Sequence, residues 1–330
     1  MKKLLNLFFV LIFTVAITSQ LSAADKTPSD ILTTAWNIDG KINFIATETT
    51  GMYVRDKFNV TISRVFSLSE NKFRREYIFP PFLVGDLLID DGTRSYYYQS
   101  QKKVLTISPS IFGPSQRESH NKLLKLILRN YNLVSSSDKY LGRDVSRISV
   151  YPADGRFPLL ILWIDNQTNV ILKREKYLPD GKIYEYSFYT DIDFNVIPNE
   201  RLFVWIKPKE EFRVIEHKEK FIPLEEAGKY GPEIPYSFQK KGYECIGIKE
   251  VPGGIACQFS DGIKNFMVFN LESLPPIPPS SKKITTDGIR YSYWQIDSIN
   301  GFAWNYKKES FLVIGMVERD IIEELIKSIR

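Results

Sequence analysis

The sequence predicts an α+β protein: a large antiparallel-sheet domain with few helices, followed by a smaller α+β domain. Three observations carry this. β-type runs separated by turn residues recur through most of the chain, helical spacing of apolar residues interrupts them at a few places, and the aromatic alternation stops near positions 207–215, where prolines take over. A length of 330 residues leaves room for two cores at roughly 100–200 residues per domain. The division falls at residues 25–209 and 210–330, after a leader at 1–24.

The composition narrows the function. With 43% hydrophobic and 25% charged residues, the chain is that of an ordinary folded protein. A net charge of +5 over this length is too thin for a dedicated nucleic-acid binder. Two cysteines and two histidines leave little material for a zinc site.

Lys2 and Lys3 precede an apolar run, Leu4–Ile17, and small residues follow at Ser22-Ala23-Ala24. That order reads as a secretory signal peptide cleaved after Ala24. The run is too short to span a bilayer, which takes ~18–20 residues, so the expectation is an exported protein that is not membrane-spanning.

The elements follow in order. Ser29 is placed to cap a short helix over 30–37. Segments 41–50, 60–68 and 73–79 are rich in β-branched and aromatic residues, and 94–99 with 103–108 form a hairpin around Ser100-Gln101. Pro80-Pro81-Phe82-Leu83-Val84-Gly85 cannot be regular throughout and reads as an apolar flap. Leu123, Leu124, Ile127, Leu128 and Tyr131 recur at helical spacing within 115–131. A meander follows at 143–151, 159–165, 170–177 and 182–193, its turns marked by Asp154-Gly155, Asp165–Asn169 and Pro179-Asp180-Gly181. Tyr184, Tyr186 and Phe188 share one face of the last strand.

An aromatic sheet face must bury itself against something. Ordinary core is one reading; an apolar cavity for a lipid chain is the other. The candidate lining comprises Phe44, Phe66, Tyr77, Phe79, Tyr96, Tyr98, Trp163, Tyr186 and Phe188, with Phe82 and Leu83 on the flap.

In the second domain, Cys245 and Cys257 flank Val251-Pro252-Gly253-Gly254. If this hairpin closes symmetrically about Val251, the cysteines face each other and a disulfide is geometrically possible, worth about 3 kcal/mol in an oxidising compartment. Buried free thiols are the alternative. Strands at 266–269, 291–296 and 310–315, a proline-rich excursion at 274–279 and an amphipathic helix over 320–329 complete the domain. The stripe Ile321, Ile322, Leu325, Ile326 and Ile329 is expected to dock on the domain's own sheet.

Particular residues also carry a family resemblance. Pro223-Leu224-Glu225-Glu226-Ala227, Ile234-Pro235, Phe259-Ser260-Asp261-Gly262-Ile263 and Phe311-Leu312-Val313-Ile314-Gly315 with Ile326-Lys327-Ser328-Ile329 resemble the C-terminal domain of the MucB/RseB family of periplasmic sigma-E regulatory proteins. Leu162-Trp163-Ile164-Asp165, Leu172-Lys173-Arg174-Glu175, Phe188-Tyr189-Thr190-Asp191-Ile192 and Asp91-Gly92 before Tyr96-Tyr97-Tyr98 resemble the strands that this family shares with LolA-type lipoprotein carriers. Val317-Glu318 departs from the family, which often has a proline-containing turn there. The resemblance implies a LolA-like antiparallel half-barrel curled over helices, joined to a smaller α+β domain. It also implies a negative regulator that binds the periplasmic part of a membrane anti-sigma factor and responds to an acyl lipid or lipoprotein. The alternative is a LolA-type lipoprotein or lipid carrier.

An enzyme is not expected. His120 lies on the polar side of its helix and His217 in a charged stretch, neither near a nucleophile motif, and no metalloprotease or P-loop motif is present. Asp90/Asp91 read as a solvated turn and Asp191/Asp193 as a strand end. No cofactor is expected.

Overall fold

The computed structural model describes residues 26–54, 57–217, 222, 226, 242–286 and 288–328. The leader, the Pro223–Ala227 motif apart from Glu226, Ile234-Pro235 and Ile329 lie outside the described residues.

The large sheet is built from two meanders. The first runs β1 (Phe44–Val54), β2 (Lys57–Leu68), β3 (Lys72–Phe79), β4 (Leu87–Asp90), β5 (Arg94–Gln99) and β6 (Val104–Pro109). The second runs β7 (Tyr131–Tyr140), β8 (Arg143–Pro152), β9 (Leu160–Asp165), β10 (Ile171–Tyr177) and β11 (Ile183–Asp193). They join where β1 pairs antiparallel with β11, and β12 (Arg213–Glu216) adds to β6 in parallel, giving a twelve-stranded sheet. This strand lies beyond position 210, so the large sheet draws on residues up to Glu216.

Consecutive hairpins dominate because tight turns are encoded at their ends. At β7–β8 the loop is Leu141-Gly142, both with positive φ, +51° and +72°; such a turn matches the right-handed twist of the strands it joins.

Two helices lie on one face of this sheet. In α1 (Pro28–Trp36), the N-cap is Thr27, not Ser29: its hydroxyl accepts from Asp30 N, Asp30 reciprocates, and Pro28 opens the first turn. α2 (Pro114–Asn130) packs Leu124 and Ile127 with Leu32 and Ala35 of α1 against Ile148, Val150, Leu160, Leu162 and Ile164. Leu126 is buried as well, whereas Leu128 is exposed. This helix is therefore covered on two sides, by the large sheet and by the second domain.

β4, β7 and β12 are strands of this sheet that the sequence reading does not contain. β4 is short, and β7 is exposed along most of its length with a Ser135-Ser136-Ser137 run, so neither carries a hydrophobic period. Asp90 is not a solvated turn residue. It ends β4, is fully buried, and accepts hydrogen bonds from Gly92 N, Ser110 Oγ and Ile111 N at 2.8–2.9 Å; burial pushes its carboxyl above the ordinary range.

The second sheet has seven antiparallel strands in the order β13-β14-β15-β19-β18-β17-β16. They are β13 (Glu244–Val251), β14 (Gly254–Ser260), β15 (Asn265–Leu271), β16 (Lys282–Thr286), β17 (Ile289–Ile296), β18 (Ile299–Tyr306) and β19 (Glu309–Gly315). α3 (Arg319–Ser328) lays Ile321, Ile322, Leu325 and Ile326 into a core with Phe259, Phe266, Phe302, Trp304 and Phe311. Residues 274–279 form an irregular loop.

The cysteine register is a correction. Pro252 and Gly253, the latter at φ +75°, form the hairpin turn, so Val251 pairs with Gly254 and the hairpin centres between positions 252 and 253. A register shift after Cys245 then sets Cys245 opposite Phe259 and Cys257 opposite Ile248. The two are therefore not directly opposed; both are free thiols buried in the same core cluster, close enough for their side chains to hydrogen-bond to each other.

Candidate functional site

Strand register decides which face each candidate residue occupies. Leu162, on the helix face, is opposite Arg174, which is opposite Ser187, which is opposite Thr50. Even-numbered residues of β1 therefore share the face of α1 and α2. Phe44 belongs there, as does Tyr77, opposite Ser63. Phe66, Phe79, Tyr96, Tyr98, Trp163, Tyr186 and Phe188 are on the reverse face. The expected single aromatic lining is thus divided between two faces.

On the reverse face the aromatic residues form two groups. Phe66 packs with Leu68 and Phe203, while Trp205 stacks on Tyr96 at 6.2 Å and meets Tyr98 at 5.6 Å. Tyr98 donates to Glu210 at 2.7 Å. Segment 199–212 thereby covers one end of the face, where Phe66, Tyr98 and Phe203 are buried and Tyr96 and Trp205 half-buried. In the second group, Phe58 stacks on Tyr186 at 5.0 Å and Tyr186 meets Phe188 at 5.4 Å. Both the Phe58 and Tyr186 rings lie where a Cβ on Gly51 would stand, so this glycine is what lets them lie flat on the sheet. Trp163 is enclosed by Lys173 and Arg147 and donates to Asp138 at 2.9 Å.

The flap is a turn of 3-10 helix at Pro81–Leu83. Phe79 and Phe82 are exposed, Phe82 at 65%, and Leu83 is half-buried.

Away from the α1/α2 core the helix face is polar. Arg75 pairs with Glu48, and Glu185 accepts from Arg174 and Lys176 at 2.9 Å each. Burial, the largest single influence, would lower the Arg75 pKa, but Glu48, Tyr77 and Tyr189 together outweigh it, so the guanidinium is held charged. Among the described residues, Nε of Arg75 and Nε of Arg174 have no hydrogen-bond partner. Tyr189 lies among these charges and its hydroxyl is pushed far up, by burial first and by Glu48 and Asp39 next. The sequence pattern does not single out these charges, because charged residues at alternating positions read equally well as a solvated surface.

Between the domains is a cleft of about 220 Å³. Gln116, Ser119, His120 and Leu123 of α2 form one wall, and Ile246–Lys249 with Ala256, Gln258 and Met267 form the other. His120 is not on a free polar side. Its ring stacks on Trp36 at 4.5 Å, Nε2 lies 3.2 Å from Trp36 O, and burial lowers its pKa. The domains are held beside this cleft by the end of α2. Arg129 pairs with Glu244, and Asn130 Nδ2 donates to Gly242 O and Asp261 O, each at 2.9 Å. A Cβ on Gly262 would stand 2.6 Å from Ile127 N. The Ser260-Asp261-Gly262 motif is therefore a docking element between domains.

These features define a two-domain β-rich protein with an interdomain cleft and a polar inner sheet face. No family model matches the sequence, and no curated protein matches it. Solved structures do. A chain of the Pseudomonas aeruginosa MucA/MucB complex superposes with a TM-score of 0.56 at 15% identity, over 92% of this chain and 98% of that one. A chain from MucB in complex with MucA(peri) gives 0.51 at 17% identity, over 92% and 98%. The chain has the MucB fold through both domains, which meets the sequence resemblance at the level of fold.

Proposed function

We propose that this chain is an exported periplasmic binding protein without enzymatic activity. In this reading it holds the periplasmic part of a membrane-bound anti-sigma factor and acts as a negative regulator of the envelope stress response. The observation that carries the reading is the match to MucB chains, solved with MucA, over 92% of this chain. A LolA-type carrier needs only the large sheet; the second domain, with its seven-stranded sheet and helix, favours the regulator.

The large domain is proposed as a LolA-like half-barrel that senses an acyl lipid or lipoprotein, with the exposed Phe79 and Phe82 and the half-buried Leu83 as the contacting flap. The other candidate residues serve this reading as support for the sheet.

Calorimetry with the mature chain and periplasmic fragments of the single-span anti-sigma factors from the same organism tests the regulator. Saturable binding to one of them is expected; no binding to any overturns it. Native mass spectrometry after incubation with acyl lipid tests the sensor, and apo protein throughout overturns that part.

A further inference from the structure

The two meanders bring five hairpin ends to one rim of the large sheet. In strand order they are the ends of β6/β5, β4/β3, β2/β1, β11/β10 and β9/β8. Neighbouring ends touch. Gln101 Nε2 donates to Pro81 O at 3.2 Å and Ser100 Oγ to Val84 O at 3.1 Å, and the Phe157 ring packs over Gly181.

Four of the five ends expose large apolar side chains that none of the described residues covers. The flap shows Phe82 and Val84, at 65% and 52%. The β1–β2 end shows Tyr53 and Phe58, and the two ends beyond it Ile183 and Phe157. A continuous apolar rim is costly in water.

Its charge points to the occupant. Among the described residues, Lys57, Lys102, Lys103, Arg156 and Lys182 are the exposed cations of these ends; Lys103 pairs with Glu210 at 3.2 Å, and the cations still outnumber Asp154, Asp180 and Glu210. Asp180 is paired with Lys182 at 2.9 Å, and Asp86 is buried against Ser100. Apolar tips interleaved with cations suit the boundary between acyl chains and anionic headgroups.

We propose that this rim docks on the surface of a lipid bilayer carrying anionic headgroups, with the tips of the four apolar hairpins inserted. The proposal does not depend on the anti-sigma reading.

The test is co-sedimentation of the full mature chain with vesicles of phosphatidylcholine alone or with about one-third phosphatidylglycerol. Binding to the anionic vesicles, weakened by high salt, is expected. Val84→Asp with Phe157→Asp should weaken it roughly tenfold or more, and Lys57→Glu with Lys182→Glu should abolish the preference for anionic lipid. Unchanged thermal unfolding shows that the variants fold. Absence of binding to either vesicle, or variants that bind like the parent, overturns the proposal. So does a parent dimer that Val84→Asp with Phe157→Asp dissociates, since the rim would then be covered by a second copy. Binding of the anti-sigma fragment to the same samples reports on the function proposed above and not on docking.

Discussion

Asp165 shows how one side chain ties a turn to a sheet. It is fully buried, takes Arg143 Nε on Oδ1 at 2.7 Å and Nη2 on Oδ2 at 3.1 Å, and closes its own turn by accepting from Thr168 N and Oγ1. Burial would raise its pKa, but the bonds from Arg143 and Thr168 outweigh burial and hold the carboxyl below its usual range. A depressed carboxylate pKa stabilises the fold above the unfolded value, near ~4, and that contribution is lost as pH falls through the folded value. Asp165→Asn should therefore cost about 1.5–3 kcal/mol at neutral pH. The gap from the parent should close as denaturant titrations are taken below pH ~4; a gap independent of pH would contradict the assignment. The cysteines give a second check at this scale. Both are buried within one core cluster, so in reduced protein neither should alkylate while folded and both should on unfolding, as intact mass would show.

Elements with a strong period were legible, and those without one were not. The stripe of α3 is such a period, and its four isoleucine and leucine side chains are fully buried. Leu325→Ala should cost about 2–5 kcal/mol, read as a lower denaturation midpoint at unchanged slope. The second meander was equally readable, because its turns carry Asn, Asp and Gly between apolar runs. β7 was not: its serine run has no apolar face, and its place at the sheet edge is fixed by pairing with β8. The candidate site failed for a related reason. Alternation sorts Phe44 from Phe66, and Tyr77 from Tyr96, only by following register through several strands, and nothing in the sequence says which face the helices will cover. The cysteine pair shows how small the margin is. Moving the hairpin centre from Val251 to the Pro252–Gly253 bond is enough to take Cys245 and Cys257 out of opposition.

At the scale of the whole molecule, α2 is the element shared by both domains. Its apolar arc is wider than one sheet requires: Leu124 and Ile127 face the large sheet, and Leu123 lines the cleft toward the second domain. Beside it, Gly262 sits at φ +110° with its α-carbon against the backbone of Ile127. A side chain there meets two obstacles, a left-handed conformation that favours glycine and main-chain atoms that cannot move aside without displacing the helix. Gly262→Ala should therefore push the Asp261 loop away from α2 and loosen the Asn130 bonds to Gly242 and Asp261. The second core would stay intact, because Phe259 and Phe266 pack within the second sheet's own cluster with α3. The expected signature is a protein whose two sheets keep their secondary structure, with wider interdomain distances in small-angle scattering. If partner binding requires the domains in this arrangement, affinity for the anti-sigma fragment falls with the docking. A Gly262→Ala protein with the parent's scattering profile would show that the close approach at Ile127 does not set the domain arrangement.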